Sequence, residues 1–97
     1  MEAQIQSLHF KATAELQEFI QLKIGKLYRF TDRIISCDVF LKLDNSTTHE
    51  NKVCELWLSV PGRAMFAERQ CKSFEEAAVG CIDALYEQLM KWKETHQ

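Results

Sequence analysis

Apolar residues return every three to four positions in two parts of this chain, and in short alternating or apolar runs elsewhere. The helical rhythm is clearest over residues 73–93, where Phe74, Ala78, Cys81, Ile82, Leu85, Leu89 and Trp92 line one face of a helix about five turns long. Ser73, with Glu76 three residues on, is a capping-box start. Glu75, Glu76 and Asp83 precede Lys91 and Lys93, the charge order that the helix dipole favours. A first helix is predicted from Leu16, Ile20, Ile24 and Leu27, capped by Thr13, with Phe19, Lys23, Lys26 and Arg29 to one side. Gly25 costs this helix about 1 kcal/mol relative to alanine and is expected to let another element approach closely.

Strands account for the rest. A loose alternation over residues 3–10 (Gln4, Ile5, Gln6, Ser7, Leu8) predicts a half-buried strand. Over 34–43, Ile35, Cys37, Val39, Leu41 and Leu43 alternate with Ser36, Asp38, Phe40 and Lys42. Over 52–60, Cys54, Leu56, Leu58 and Val60 alternate with Val53, Glu55, Trp57 and Ser59, before a turn at Pro61 and Gly62. A fourth strand, 64–71, carries Met65, Phe66 and Ala67 before turning polar. Residues 44–51 contain no apolar side chain and read as a mobile loop. The order β-α-β-β-β-α predicts an α+β fold in two layers. A right-handed crossover makes the first two strands parallel, and short turns make the others antiparallel. Both amphipathic helices then cover one face of a four-stranded mixed sheet, leaving the other to water. Phe40 and Trp57 fall on that open face, where an aromatic binding platform and unremarkable exposed rings both fit.

Composition narrows the function classes. Ninety-seven residues, 46% of them hydrophobic, are expected to form one domain over 1–97. A formal net charge of -2 gives no global attraction to nucleic acid, so such binding needs a local basic patch. Cys37, Cys54, Cys71 and Cys81 contain no C-x-x-C and lack histidines at ligand spacing, which argues for reduced core residues and against a metal site. No leader pattern and no apolar run of about 18 residues is present, so a cytoplasmic protein without a membrane partner is expected. His9, His49 and His96 are isolated, and no nucleophile, metal or phosphate-loop motif occurs. The expectation is a non-enzyme with no catalytic residue, cofactor or small-molecule substrate.

The cations are better organised than the net charge. Lys23, Lys26 and Arg29, spaced by three, form a ridge on the first helix, with Arg33 just beyond. Lys91 and Lys93 end the second helix, so helices packed side by side would flank one phosphate-contacting surface. Arg63, Arg69 and Lys72 would extend it along the last strand. The same residues also suit a second reading, as dipole partners and solvated surface charge.

Four stretches point further: KIGKLYRF from 23 to 30, IISCDVFLKL from 34 to 43, the Pro61–Gly62 turn, and DALYEQLMKWK from 83 to 93. In their order and spacing the chain resembles the ribosome hibernation promoting factor and ribosome-associated inhibitor family, also called protein Y or sigma-54 modulation proteins. That resemblance implies a β-α-β-β-β-α fold similar to double-stranded-RNA-binding domains and no enzymatic activity. It also implies a partner, the small ribosomal subunit, whose decoding-region rRNA would be met across the A and P sites. Translation would be inhibited in stationary phase or stress by steric occupation, by a short form of the family. Any self-association is expected to be weak. Lys23, Lys26 and Arg29 match the family's first-helix basic positions, and Lys91 and Lys93 its basic second-helix tail. The chain departs at Glu87, where arginine is usual, at Ala84, where lysine is frequent, and at Val79 and Glu75. A module that has kept the fold for protein contacts, without rRNA binding, is the alternative those departures leave.

Overall fold

Each helix begins at the cap its sequence provides. Thr13 lies in extended backbone and its Oγ1 accepts from Leu16 N at 3.1 Å, which starts α1 (Ala14–Phe30). Ser73 does the same for α2 (Phe74–Thr95), accepting from Glu76 N at its Oγ and from Ala77 N at its carbonyl. Four strands complete the chain: β1 (Gln4–Ser7), β2 (Ser36–Leu43), β3 (Lys52–Val60) and β4 (Arg63–Cys71). This computed structural model describes residues 3–45 and 49–95.

The sheet order is β1-β2-β3-β4, with β1 parallel to β2 and the remaining pairs antiparallel. Ile5, Val39, Leu56 and Ala67 lie in register across its inner face. Onto that face α1 brings Leu16, Ile20, Ile24 and Leu27, and α2 brings Ala78, Cys81, Ile82, Leu85, Leu89 and Trp92, all buried in one cluster. Burying each leucine or isoleucine contributes roughly 1.5–3 kcal/mol, so these two stripes supply much of the force that holds the layers together. Phe74, expected on the α2 stripe, is only half-buried and stacks on Phe10 with ring centroids 5.0 Å apart.

Several boundaries and side-chain directions differ from the sequence pattern. β1 stops at Ser7 because His9 adopts a left-handed backbone (φ 68) and turns the chain toward α1. The start of β2 is displaced likewise. Ile34 is buried before the strand begins, and Ile35, expected inward, is 64% exposed although its N–H still bonds Ser59 O. Leu43, at the far end of the same strand, is also exposed. β4 gains Arg63, paired with Val60 across the Pro61–Gly62 turn, where Gly62 takes φ 81. The loop expected over 44–51 includes residues 46–48, which lie outside the described part. Its base is tied by Asp44 N to Asn51 O and by Gln70 Nε2 to Glu50 O, each at 2.8 Å. Gly25 does not admit another element. A Cβ there would lie 3.0 Å from Arg29 Nη1 of the same helix. The close approach occurs at Gly80, where a Cβ would lie 3.1 Å from Arg69 Cγ.

The helices advance in the same direction. Phe10 stacks on Phe74 near their starts, Lys26 reaches Asp83 midway, and Phe30 meets Tyr86 and Lys93 near their ends. Both helix C-termini therefore share one end of the molecule.

Candidate nucleic-acid interface

Parallel helices convert separate runs of sequence into one basic track. Lys23, Lys26 and Arg29 line a groove of about 310 Å³ between α1 and α2, together with Val79, Ile82 and Asp83. Arg29 also borders a second, shallower hollow of about 630 Å³ at the helix ends, with Thr31, Arg33 and Lys93. The two hollows adjoin at Arg29, so Lys23, Lys26, Arg29, Arg33 and Lys93 border neighbouring hollows along the inter-helix seam.

Aromatic rings position most of these cations. Lys26 Nζ lies 4.4 Å from the Tyr86 ring centroid, Lys93 Nζ 4.6 Å from that of Phe30, and Arg33 4.8 Å from that of Trp92. Lys23 Nζ stands 5.5 Å from the Phe19 ring centroid. Each such contact contributes about 0.5–1 kcal/mol at an exposed site, and ordering the side chain beforehand reduces the entropy lost when an anion binds. Lys93 also donates to Phe30 O at 3.2 Å, satisfying a carbonyl in the last turn of α1. Tyr28, beside Arg33, has its phenol held above the ordinary value by burial first and by Cys37 and Asp38 second, so it remains a neutral donor. Lys26 has an acidic partner as well, with Nζ 3.5 Å from Asp83 Oδ1 and side chains 46% and 63% exposed.

The other expected cations do not join the seam as one surface. Lys91 is exposed, and two residues of helix place it about 160° around α2 from Lys93. Arg63 opens β4, whereas Arg69 lies six residues on, about 20 Å along the strand. Arg69 packs over Gly80 and donates from Nη1 to Glu68 O at 2.7 Å, while Lys72 lies exposed in the turn before α2. β4 therefore does not carry a continuous basic extension. Of the helix-two departures, Glu87 and Glu75 are exposed, Ala84 is half-buried and Val79 lines the inter-helix groove; Tyr86, beside them, packs edge-on against Phe30 with centroids 5.1 Å apart.

Among the described residues no group of histidine, cysteine and acidic side chains could hold a metal ion. His96 lies outside the described residues. Cys37, Cys54 and Cys81 are buried, and Cys71 is half-buried. Burial and Asp38 push the Cys37 thiol up to about 12. Cys54, hydrogen-bonded to Cys81 and buried, is also pushed up. Cys81 acts as a thiol donor, to Cys54 O at 3.1 Å and Ala67 O at 3.6 Å. Cys37, Cys54 and Cys81 are core residues, as expected, whereas Cys71 packs against the core from its edge. Among the described residues no helix is long and apolar enough to cross a membrane.

Comparison with known proteins sets this geometry in a family. The family model described as sigma 54 modulation protein / S30EA ribosomal protein matches residues 3–97. The chain belongs to this family. The ribosome hibernation promoting factor of Escherichia coli K12 is 32% identical over 94 residues, covering 97% of this chain and 95% of that protein. The ribosome hibernation promotion factor of Deinococcus radiodurans is 30% identical over 92 residues, and there the chain spans 48% of the longer protein. The fold agrees with two solved structures. A ribosomal subunit interface protein from Coxiella burnetii superposes with a TM-score of 0.84 at 17% identity, covering 97% of this chain and 99% of that one. The N-terminal domain of Thermus thermophilus Protein Y gives 0.82 at 18% identity, covering 95% and 99%. Within this family frame, the partners that sequence reasoning missed are Asp83 for Lys26, Phe30 for Lys93 and Trp92 for Arg33. Each pair is separated by some sixty residues, and only the parallel packing of the helices brings it together.

Proposed function

We propose that this protein is a non-enzymatic translation inhibitor of the cytoplasm that binds the small ribosomal subunit. It occupies the messenger- and transfer-RNA channel across the A and P sites, in stationary phase or stress. The observation that carries this reading is the seam of Lys23, Lys26, Arg29, Arg33 and Lys93, five cations concentrated on a chain whose net charge is -2. Membership of the sigma 54 modulation / S30EA family, with hibernation promoting factors among the relatives, supports it. The seam acts through phosphates, each contact releasing counterions and making affinity fall with salt. Asp83 does not block it. The exposed, 3.5 Å pair contributes at most about 1 kcal/mol, so leaving it costs Lys26 little, and a phosphate contact adds the counterion release that Asp83 does not offer.

Sedimentation of stationary-phase lysate at low salt tests the reading. Tagged protein is expected to travel with small subunits and to be displaced by added transfer RNA. Protein that stays at the top of the gradient would sink it. A second reading, a protein-interaction module on the same fold, is favoured by the exposed Glu87 on α2 and by the charge that Asp83 withdraws from Lys26. Co-sedimentation that survives reversal of both Lys26 and Arg29 would move the contact surface away from the seam.

A further inference from the structure

The open face of the sheet holds a second constellation that the helical seam does not use. Trp57 on β3 and Phe66 on β4 are register partners with ring centroids 4.3 Å apart, and they remain 43% and 39% exposed. Asp38 stands opposite Trp57 on β2. One row along the same face are Glu55 and Glu68, themselves register partners. Lys42, one row further on and opposite Val53, reaches back so that its Nζ contacts Glu55 and lies 3.9 Å from Glu68. Lys42 holds the Glu55 carboxyl below its usual value, so that group stays ionised. Three carboxylates against one ammonium leave the surroundings of the two rings acidic.

That charge decides what the rings can receive. Single-stranded nucleic acid also stacks on aromatic side chains, but it needs a cationic groove for its backbone, and here phosphates would meet Asp38, Glu55 and Glu68. A guanidinium has the complementary chemistry. It is planar, it stacks on aromatic faces, and its donors fork onto a neighbouring carboxylate. We propose that the open sheet face is a docking site for an arginine-bearing segment of a partner protein, with a guanidinium over Trp57 and Phe66 and with Asp38 and Glu68 as its counter-ions. The same segment is repelled by the Lys26–Arg29–Arg33 seam, so the two faces select partners of opposite charge.

The test uses the full chain, isotopically labelled, titrated with a short arginine–glycine repeat peptide, its lysine counterpart and an oligouridine. The arginine peptide is expected to shift the Trp57 indole and Phe66 amide signals, and the lysine peptide to bind several-fold more weakly. Trp57→Ala should weaken the arginine peptide about tenfold. Glu68→Lys, at a side chain 48% exposed, should weaken it comparably with an unchanged circular dichroism spectrum, and it decides the matter if the tryptophan variant does not fold. The proposal is overturned if the peptide shifts gather instead around Glu75 and Glu76, if oligouridine rather than the peptide moves Trp57, or if Glu68→Lys leaves peptide affinity unchanged.

Discussion

The helical face and the sheet face are built from the same two ingredients, aromatic rings and charges, combined in opposite ways. Between the helices the rings of Tyr86, Phe30 and Trp92 already carry Lys26, Lys93 and Arg33 from this chain. Across the sheet, Trp57 and Phe66 touch each other and are bordered by carboxylates. In the first arrangement the rings hold cations ready for an external anion. In the second they stay open to an external cation. Which class of partner a face suits is therefore set by the sign of the charge beside its rings, and net charge conceals this because the two faces partly cancel.

The strongest way to break the comparison is to remove the floor both faces share. Leu56→Ala, at a fully buried position in the middle of β3, should cost about 3 kcal/mol and lower the urea midpoint, with ribosome and peptide binding lost together on heating. A midpoint unchanged from the parent would show that the two layers do not depend on this residue. Next in size, Lys26→Glu combined with Arg29→Glu should lower ribosome affinity about a hundredfold and flatten its salt dependence, while arginine-peptide binding stays as it was. Parallel loss of both activities would mean that the faces are not independent.

A smaller effect sharpens the picture in the other direction. Asp83→Asn frees Lys26 and should tighten ribosome binding by up to about fivefold at low salt, fading as ionic strength rises. Weaker binding would assign Asp83 a direct contact with the partner. The smallest effect concerns the sheet face. The folded state holds the Glu55 carboxyl below its usual value, chiefly through the Lys42 hydrogen bond. Its contribution is therefore present above the usual carboxylate pKa and is lost as pH falls through the depressed value. Thermal melts from neutral to acid pH should show a slightly shallower acid decline for Glu55→Gln than for the parent protein.

Much of the fold was legible because each element repeats its own signal. Thr13 and Ser73 cap where the rhythm begins, and the α1 and α2 stripes bury as spaced. The misplaced details sit where one residue overrides a pattern. His9 ends β1 through its backbone angle, and Ile35 is turned outward before the β2 ladder is established. The ridge of Lys23, Lys26 and Arg29 could be read from spacing alone, since three-residue steps keep side chains adjacent on a helix. Its partners could not, because hydrophobic periodicity says which face of a helix is covered but not which residue of the neighbouring helix it meets. Phe66 was hidden for a related reason. Its pairing with Trp57 depends on the register across the Pro61–Gly62 turn, which composition does not reveal.

Arg69 illustrates a different use of a basic residue. β4 is one of the two outer strands, and an outer strand invites another chain to add to it. Here Gln88 Nε2 donates to Phe66 O and Arg69 Nη1 to Glu68 O, so two of the carbonyls that a newcomer would pair with already have donors. Gly80 makes the room that lets Arg69 lie across this border. The consequence concerns colloidal behaviour rather than recognition: this edge is partly closed from within, which works against strand-by-strand assembly along β4. Gly80→Ala, by displacing Arg69, should reveal this first as a slow rise in light scattering from molecules that are still folded.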